Sequence, residues 1–334
     1  MKVLLYTESE RVIGKSGLGK AIKHQMKALE INGVSYTTNP ADEYDILHIN
    51  TYFPGSYLLA KKAKRNGKKI VYHAHSTEED FKDGFIFSKQ ISPSFKKWII
   101  KCYSMGDIVI TPTEYSKKLL DSYGIGKDIL AVSNGIEIDR FKRNNDLGKQ
   151  FREKYNYKET DKVIIGIGLY IRRKGIIDFV ELAKRMPEYK FIWFGYSPLS
   201  AATKDVRVAV NTKLDNLIFA GYVESYEIIG AMSGCDLYLF PTLEETEGIP
   251  IIEACACKCK TLIRDIPVFE PWLKDGVNVY KAKDIDEFER KIRDIISLKL
   301  PDLTEEAYKV AEQRSLDNVG KQLKNVYESL IGKD

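Results

Sequence analysis

Short apolar runs alternate with longer amphipathic segments along the first half of the chain. The apolar runs are KVLLY, SYTT, DILHIN, KKIVYHAHS, DIVITPT and ILAVSNGI. The longer runs stay apolar instead of switching every second residue, which is typical of strands buried on both faces. Amphipathic stretches between them, such as residues 114–123, have helical spacing. The pattern predicts an α/β fold with a parallel, doubly wound sheet.

The same alternation restarts at Lys162 and continues to the amphipathic C-terminal segment. Its strands are VIIGIGLY, KFIWFG, NLIFAGYV, CDLYLF, TLIRD and NVYKA. Between the two series lies the polar stretch 133–161, which we interpret as the connection between two domains. A length of 334 residues suits two domains of this kind.

Composition and charge limit the classes of partner. The net charge of +5 permits attraction to acidic lipid or phosphate and does not require nucleic acid. There is no apolar run long enough to span a membrane, and Met1 leads directly into a strand, so neither a spanning segment nor a signal peptide is expected. Five cysteines fit a reducing cytoplasm. A metal at Cys255, Cys257 and Cys259 is disfavoured, because alternate spacing at a helix end scatters the side chains.

Polar residues cluster just after the strands of the first half, at the edge where open parallel sheets bind ligands. His48, Asn50, His73 and His75 occupy such positions. Any one histidine could be structural, but three of the chain's four at strand ends favour a site. Gly17 and Gly19 precede a helix and would let backbone N–H groups approach a phosphate or sugar closely; a plain turn is the alternative.

Two stretches of the second half carry side chains that could bind sugar hydroxyls or a diphosphate. In PTLEETEGIPIIEACACKC, Gly248 makes a turn and Pro250 starts a helix, while Glu245 and Glu253 could accept hydrogen bonds from ribose or sugar hydroxyls. The alternative is that these acids are solvated charges favoured by the helix dipole. After VIIGIGLY, the cations Arg172, Arg173 and Lys174 precede a helix, where a diphosphate could bind; a solvated basic turn is the alternative.

Residues 91–105 combine lysines with an aromatic face. Such a helix can lie in a membrane interface, and ordinary packing on the sheet is the alternative. The residues concerned are Phe95, Lys96, Lys97, Trp98 and Lys101.

The ordered set SGLG, HAH, SNGI, GLYIRRKG and PTLEETEGIPIIEA resembles the family-4 retaining glycosyltransferases of GT-B fold, over nearly the whole chain. MKVLLYTESE, HINTY, HSTEEDF and RDIPVF look more narrowly like bacterial lipid glycosyltransferases that extend glucosyl-diacylglycerol. Such enzymes add a second hexose and so make the glycolipid that anchors lipoteichoic acid. The resemblance implies two Rossmann-like domains facing a cleft. Residues 1–135, completed by a returning C-terminal helix at 316–334, would bind the acceptor, and residues 136–315 the nucleotide sugar.

The resemblance also implies roles for individual residues. Arg173 and Lys174, helped by Arg172, would hold the diphosphate, while Glu253 would bind the ribose and Glu245 the donor sugar. The remaining implied contacts are His75 at the sugar's primary hydroxyl, Gly17 or Gly19 over the diphosphate, the backbone of Gly248, Ile249 and Pro250 at the sugar and phosphate, the base near Gly221, Tyr222 and Val223, and the acceptor near His48 and Asn50.

Two departures from the family pattern stand out. Leu169 replaces an arginine that many members carry, and Lys258 and Lys260 replace the usual glycine and proline after the Glu253 helix.

The implied reaction moves glucose or galactose from a UDP-sugar to monoglucosyl-diacylglycerol, with retention of the α configuration. No metal or other cofactor is expected, because the protein supplies the cations. The enzyme would work in the cytoplasm, on the inner face of an anionic membrane, and its oligomeric state is left open.

Three other functions remain to be weighed. The first is transfer to a soluble, capsule or teichoic acid acceptor, and the second is sugar-nucleotide binding without catalysis. A dinucleotide dehydrogenase is the third, although no Gly-x-Gly-x-x-Gly element follows the first strand.

Overall fold

Each half of the chain builds a wholly parallel six-stranded sheet in the computed structural model, which describes residues 1–9, 14, 16–82 and 84–332. Residues 1–81, 90–137 and 314 onwards form one compact unit, and residues 82–89 and 138–313 form the other. The predicted divisions at 135/136 and 315/316 lie close to these. The assignment of segment 82–89 to the second unit was not foreseen.

The first sheet has the strand order β2-β1-β3-β4-β5-β6. Its switch point, where the order of successive strands reverses, therefore lies between β1 and β3. The strands are β1 (Lys2–Tyr6), β2 (Ser35–Thr37), β3 (Ile46–Ile49), β4 (Lys69–His73), β5 (Ile108–Thr111) and β6 (Asp128–Ala131). Helices in this part of the described chain are α1 (Gly17–Ile31), α2 (Pro54–Arg65), α3 (Glu78–Phe81), α4 (Ser88–Tyr103) and α5 (Glu114–Ser122).

The second sheet has the order β12-β11-β10-β7-β8-β9, which places its switch point between β7 and β10. The strands are β7 (Val163–Ile167), β8 (Lys190–Phe194), β9 (Leu217–Gly221), β10 (Leu237–Phe240), β11 (Thr261–Arg264) and β12 (Tyr280–Ala282). Its helices, among the described residues, are α6 (Asn145–Lys154), α7 (Ile176–Arg185), α8 (Lys204–Val210), α9 (Ser225–Gly234), α10 (Ile249–Ala256), α11 (Ile285–Ile296) and α12 (Thr304–Gln313). The prediction of two doubly wound parallel sheets is confirmed.

The polar stretch interpreted as a connection is largely an integral part of the second unit. It forms α6, where the N–H before the helix, on Asn144, donates to Ser233 Oγ at 3.0 Å. Arg152 Nε donates to the carbonyl of Gly234 at 2.8 Å. Because these bonds tie α6 to the end of α9, the stretch packs as a structural helix, which corrects the interpretation from sequence.

A C-terminal helix, α13 (Leu316–Ile331), returns to the first unit as predicted. Its apolar stripe, which includes Leu323 and Tyr327, is buried in the same core as Ala28 and Leu29 of α1. The two helices approach so closely that a Cβ on Gly320 would lie 2.2 Å from the carbonyl oxygen of Ala28. The core of the first sheet is therefore completed by the last helix of the chain.

The departure at Lys258 has a structural counterpart, because this residue has φ +51°, in the left-handed region that favours glycine. Its Nζ lies 2.8 Å from both carboxylate oxygens of Glu305. Lys258→Gly and Lys258→Ala both remove this exposed ion pair, but only glycine relieves the backbone. We expect the glycine variant to be more stable than the alanine variant by about 1 kcal/mol in urea unfolding.

Lys149, inside α6, provides the matched control, since there glycine should be the less stable of the two by about 1 kcal/mol. An alanine variant at position 258 as stable as the glycine variant would contradict the prediction.

Candidate active site

The loops that follow β7 and β10 meet at the switch point of the second sheet. A tight turn at Arg172–Lys174 ends in Gly175, whose φ is +74°. A Cβ at this position would lie 2.1 Å from the carbonyl oxygen of Pro241, so only glycine allows the loops to approach. The N–H of Leu243 donates to the carbonyl of Arg173 at 2.7 Å and joins them. The two stretches predicted to bind the donor are thus held together.

A buried ion cluster lies where these loops meet. The Lys174 ammonium donates to Glu245 Oε1, and Arg173 Nη1 lies 3.5 Å from Glu245 Oε2. Arg173 Nη1 also donates to the carbonyl of Glu244 at 2.8 Å, and Thr242 Oγ1 donates to Glu245 Oε1 at 3.1 Å. Only 7% of the Glu245 side chain is exposed, and 13% and 15% of its two cationic partners. The predicted diphosphate cations and the predicted sugar ligand therefore form one cluster.

The charge of Glu245 is set by two opposing effects. Burial raises the pKa of its carboxyl, while Lys174 and Arg173 lower it, and the net pKa lies below the ordinary value. Glu245 is therefore ionised at neutral pH.

The acidic loop runs from this cluster into α10 through Gly248, which has φ +92°. Ile249 is buried, and Pro250 lies in the first turn, where a missing N–H costs nothing. Glu253, one turn further, is 1% exposed, so it is not the solvated charge of the alternative interpretation.

Two residues near these acids were missed from the sequence. Burial, and then Glu253 and Glu245, raise the pKa of Tyr238 well above its usual range. The Tyr238 hydroxyl is buried with no hydrogen-bond partner among the described residues. Thr242 was missed as well, although a hydroxyl directly after a strand-ending proline is a usable signal. Tyr238 carried no signal, because it stands within an apolar strand.

Other predicted donor residues lie around the same edge of the sheet. Arg172 is half-exposed and pairs with Asp205 at 2.9 Å, so in this structure it does not join the Glu245 cluster. Gly221 ends β9 with φ +74°, Tyr222 after it is exposed and Val223 is partly buried. Leu169, at the position of the family's usual arginine, is 38% exposed.

Three histidines are stacked at the carboxyl edge of the first sheet. The rings of His73 and His75 are parallel within 13°, with centroids 3.9 Å apart, and the His48 ring lies 5.3 Å from that of His73. His75 Nε2 and Asn50 Oδ1 are 3.0 Å apart. Burial lowers the pKa of His48 and of His75 to about 3, and that of His73 well below its usual value. The stack is therefore neutral at physiological pH.

The placement of His48 and Asn50 corrects their predicted contact with an acceptor, because they are 0% and 1% exposed and cannot reach a ligand. His75, by contrast, is only partly buried. At the start of α1, Ser16 Oγ accepts the N–H of Gly19 at 3.3 Å. That N–H is thus already used, whereas Gly17 is exposed.

Helix α4 packs its aromatic side chains inside the first unit. The Phe95 ring stacks on Phe81 at 3.9 Å, and Trp98 Nε1 donates to the carbonyl of Tyr52 at 2.6 Å. Lys96 pairs with Glu78 at 3.2 Å. Phe95 and Trp98 are therefore partly buried, as the alternative of ordinary packing predicts, while Lys97 and Lys101 are exposed. Contact of this helix with a membrane stays a prediction.

The two sheets, with ligand-type side chains at the switch point of the second, define the class of α/β proteins that bind nucleotide-linked ligands at strand ends. Residues 36–140 match the family model "Glycosyltransferase Family 4", and residues 149–314 match "Glycosyl transferases group 1". A processive diacylglycerol alpha-glucosyltransferase of Acholeplasma laidlawii is 39% identical over 99% of both chains. The chain therefore belongs to the group 1 and family 4 glycosyltransferases.

More distant similarities also extend over most of the chain. An alpha-galactosylglucosyldiacylglycerol synthase of Streptococcus pneumoniae is 22% identical over 85% of this chain and 78% of its own. Among solved structures, HepE of Anabaena in complex with UDP and glucose has a TM-score of 0.79 at 16% identity, covering 99% of this chain and 100% of that one. The fold is GT-B, and the protein is a glycosyltransferase. Within the described residues, every helix is too short or too polar to cross a bilayer.

Removing either member of the Lys174–Glu245 pair leaves a buried charge with fewer partners. We expect Lys174→Met and Glu245→Gln each to destabilise the second unit by about 2–4 kcal/mol. The double variant should lose less than the sum by about 1–3 kcal/mol, because neither charge is then left behind. Urea unfolding of the four proteins gives the coupling.

The exposed pair Arg172–Asp205 is the control for this cycle, and Arg172→Met with Asp205→Asn should give a coupling of about 0–1 kcal/mol. Strict additivity at Lys174 and Glu245 would show that their contact does not stabilise the fold.

The neutral histidine stack also predicts how stability depends on pH. Histidines in the unfolded chain bind protons below about pH 6.5. In the folded protein the pKa of His48 and of His75 is about 3 and that of His73 is well below its usual value, so stability is full above about pH 6.5 and falls with acid. Each histidine should remove about 1.4 kcal/mol per pH unit in this window. Urea midpoints at pH 7, 6 and 5 measure the slope.

A His75→Asn variant should reduce that slope by about 1.4 kcal/mol per pH unit, since one of the three protonation sites of the stack is removed. The lowered pKa of Glu245 confines its own effect to more acidic pH. A slope that His75→Asn leaves unchanged would contradict neutral burial of this ring.

Proposed function

We propose that this glycosyltransferase moves glucose from UDP-glucose to a hydroxyl of monoglucosyl-diacylglycerol, with retention of the α configuration. The observation that carries the proposal is the relative that is 39% identical over 99% of both chains and whose name specifies a diacylglycerol alpha-glucosyltransferase. Glucose is favoured over galactose because the galactosyl relative is only 22% identical.

The ion cluster suggests how the donor binds. The diphosphate of UDP-glucose takes the place of Glu245 as the partner of Lys174 and Arg173. These cations then stabilise the negative charge that develops on the leaving UDP. Glu245, released from its partners, accepts hydrogen bonds from hydroxyls of the transferred glucose, and Glu253 does so from the ribose. Because the protein supplies the positive charge at the diphosphate, we propose that the reaction needs no divalent metal.

His75 acts as a neutral group in this proposal. Its Nε2–H donates to Asn50 Oδ1, which leaves Nδ1 free to accept a hydrogen bond from a sugar hydroxyl. The lowered pKa of His75 keeps this acceptor unprotonated throughout the physiological range.

A cationic face on α2 and α4 supports binding to an anionic membrane. Neither helix carries an acidic residue. The exposed residues Leu58, Lys61, Lys62 and Arg65 of α2 follow the spacing of one helix face. Lys101 of α4 lies 5.0 Å from the Tyr57 ring, so the two helices are neighbours. Each such cation near an anionic surface contributes about 1 kcal/mol to the free energy of membrane binding. We therefore propose that the protein binds peripherally to the inner face of the cell membrane.

The test offers UDP-glucose or UDP-galactose with monoglucosyl-diacylglycerol in anionic vesicles, and with soluble octyl glucoside as the alternative acceptor. We expect an α-linked diglucosyl lipid from UDP-glucose, formed equally well in EDTA. Product only with the soluble acceptor would move the function to capsule or teichoic acid assembly. UDP binding without any product would indicate a non-catalytic protein.

The same assay tests the membrane face. Lys61→Glu/Lys62→Glu should lower vesicle binding at least about tenfold and leave octyl glucoside activity unchanged, because these charges belong to the first unit and the donor cluster to the second. Lys149→Glu/Lys213→Glu changes the net charge equally at exposed positions of the second unit. An equal loss in this control would refute a specific membrane face.

A further inference from the structure

A chain of polar contacts leads from the C-terminal helix to His75. Tyr327 of α13 lies 2.6 Å from His48 Nδ1, and His48 Nε2 lies 3.2 Å from His73 Nδ1. The His73 ring is in turn stacked on His75. We propose that Tyr327, His48 and His73 are positioning residues that fix the ring plane and the tautomer of His75. The inference rests on the role proposed above for His75.

The protonation of each ring follows from Gln25 of α1. The amide nitrogen Nε2 of Gln25 can only donate, and it lies 2.9 Å from His73 Nδ1, which must therefore be an acceptor. His48 Nε2 faces the same atom, so it also donates, and the two donors share the single lone pair of His73 Nδ1. In a neutral ring His48 Nδ1 is then an acceptor. The Tyr327 hydroxyl must donate to it, in keeping with the raised pKa that burial gives this phenol. One orientation of Gln25 thus sets the whole chain.

His75 is held on two sides at the end of this chain. The parallel ring of His73 supports its face, and Asn50 Oδ1 accepts its Nε2–H at 3.0 Å. His48 and His73 are 0% and 2% exposed, so neither contacts a substrate, and any effect they have on the reaction must pass through His75.

An apolar core would be the simpler way to fill this space. Tyr327 lies in an apolar stripe with Leu323 and Leu330, where phenylalanine would pack as well. This series of polar contacts also leaves His73 Nε2 and Asn50 Nδ2 without a hydrogen-bond partner among the described residues. Native structures rarely leave buried polar atoms unpaired. Retaining these polar groups directly behind His75 therefore points to a role beyond packing.

The chain is tested directly by the ring nitrogens of the four histidines, observed by long-range proton–nitrogen NMR of protein labelled with 15N-histidine. We expect His48, His73 and His75 each to show a protonated Nε2 and an unprotonated Nδ1 between pH 6 and 8. In Tyr327→Phe the ring resonances of His48, His73 and His75 should all shift. A His75 spectrum identical in wild type and Tyr327→Phe would overturn the proposal.

Kinetics provide the second measurement. Tyr327→Phe should lower kcat for glucosyl transfer by about threefold to tenfold and leave the KM for UDP-glucose unchanged. Tyr280→Phe is the matched control, because it also removes a hydroxyl with one hydrogen-bond partner. The Tyr280 hydroxyl donates to the Pro301 carbonyl at 2.7 Å, and both residues belong to the second unit. A kcat loss of the same size in this control would also overturn the proposal.

The two proposals fail in different ways. If His75→Ala retains full kcat, the role proposed for His75 is wrong, whereas the NMR spectra still decide whether the chain orders its ring. If His75→Ala is inactive and Tyr327→Phe keeps wild-type kcat and His75 resonances, the positioning proposal fails and the proposed function stands.

Discussion

The buried carboxylate of Glu245 is the constraint on which the second unit depends. A charge with so little exposure is tolerated only beside opposite charges and hydrogen-bond donors, and Lys174, Arg173 and Thr242 provide them. These partners come from two loops separated by about seventy residues, so the ion cluster also determines how the ends of β7 and β10 meet. Gly175 allows the required approach of the backbones. Stability and ligand chemistry therefore depend on the same atoms.

Much of this arrangement could be predicted from the sequence. Continuous apolar runs alternating with helical segments imply parallel sheets, and in parallel sheets the residues after each strand share one edge. Glu245, Arg173, Lys174 and His75 were placed at such edges for that reason. The direct pairing of Glu245 with both cations was not predicted, because it depends on which two strands are neighbours at the switch point.

The sequence could not decide the interpretations that depend on neighbours distant in sequence. Trp98 and Lys97 are adjacent in an amphipathic helix, but the Tyr52 carbonyl and the Tyr57 ring that hold the indole come from a distant part of the first unit. His48 follows the pattern of a ligand residue, yet Tyr327 encloses it from a helix 279 residues away in sequence. Likewise, the charged surface of α6 resembles a connection until its contacts with α9 are known. Such long-range neighbours have no local signal.

The return of α13 has a consequence for biosynthesis. A ribosome makes residues 1–137 first, but the core of the first sheet is closed only by Leu323, Tyr327 and Leu330 of the last helix. The second unit, formed mainly by residues 138–313, has all its strands before α13 emerges. An apolar face of the nascent first unit therefore stays exposed to solvent while the second unit is synthesised. Exposed apolar surface of this kind is what chaperones bind.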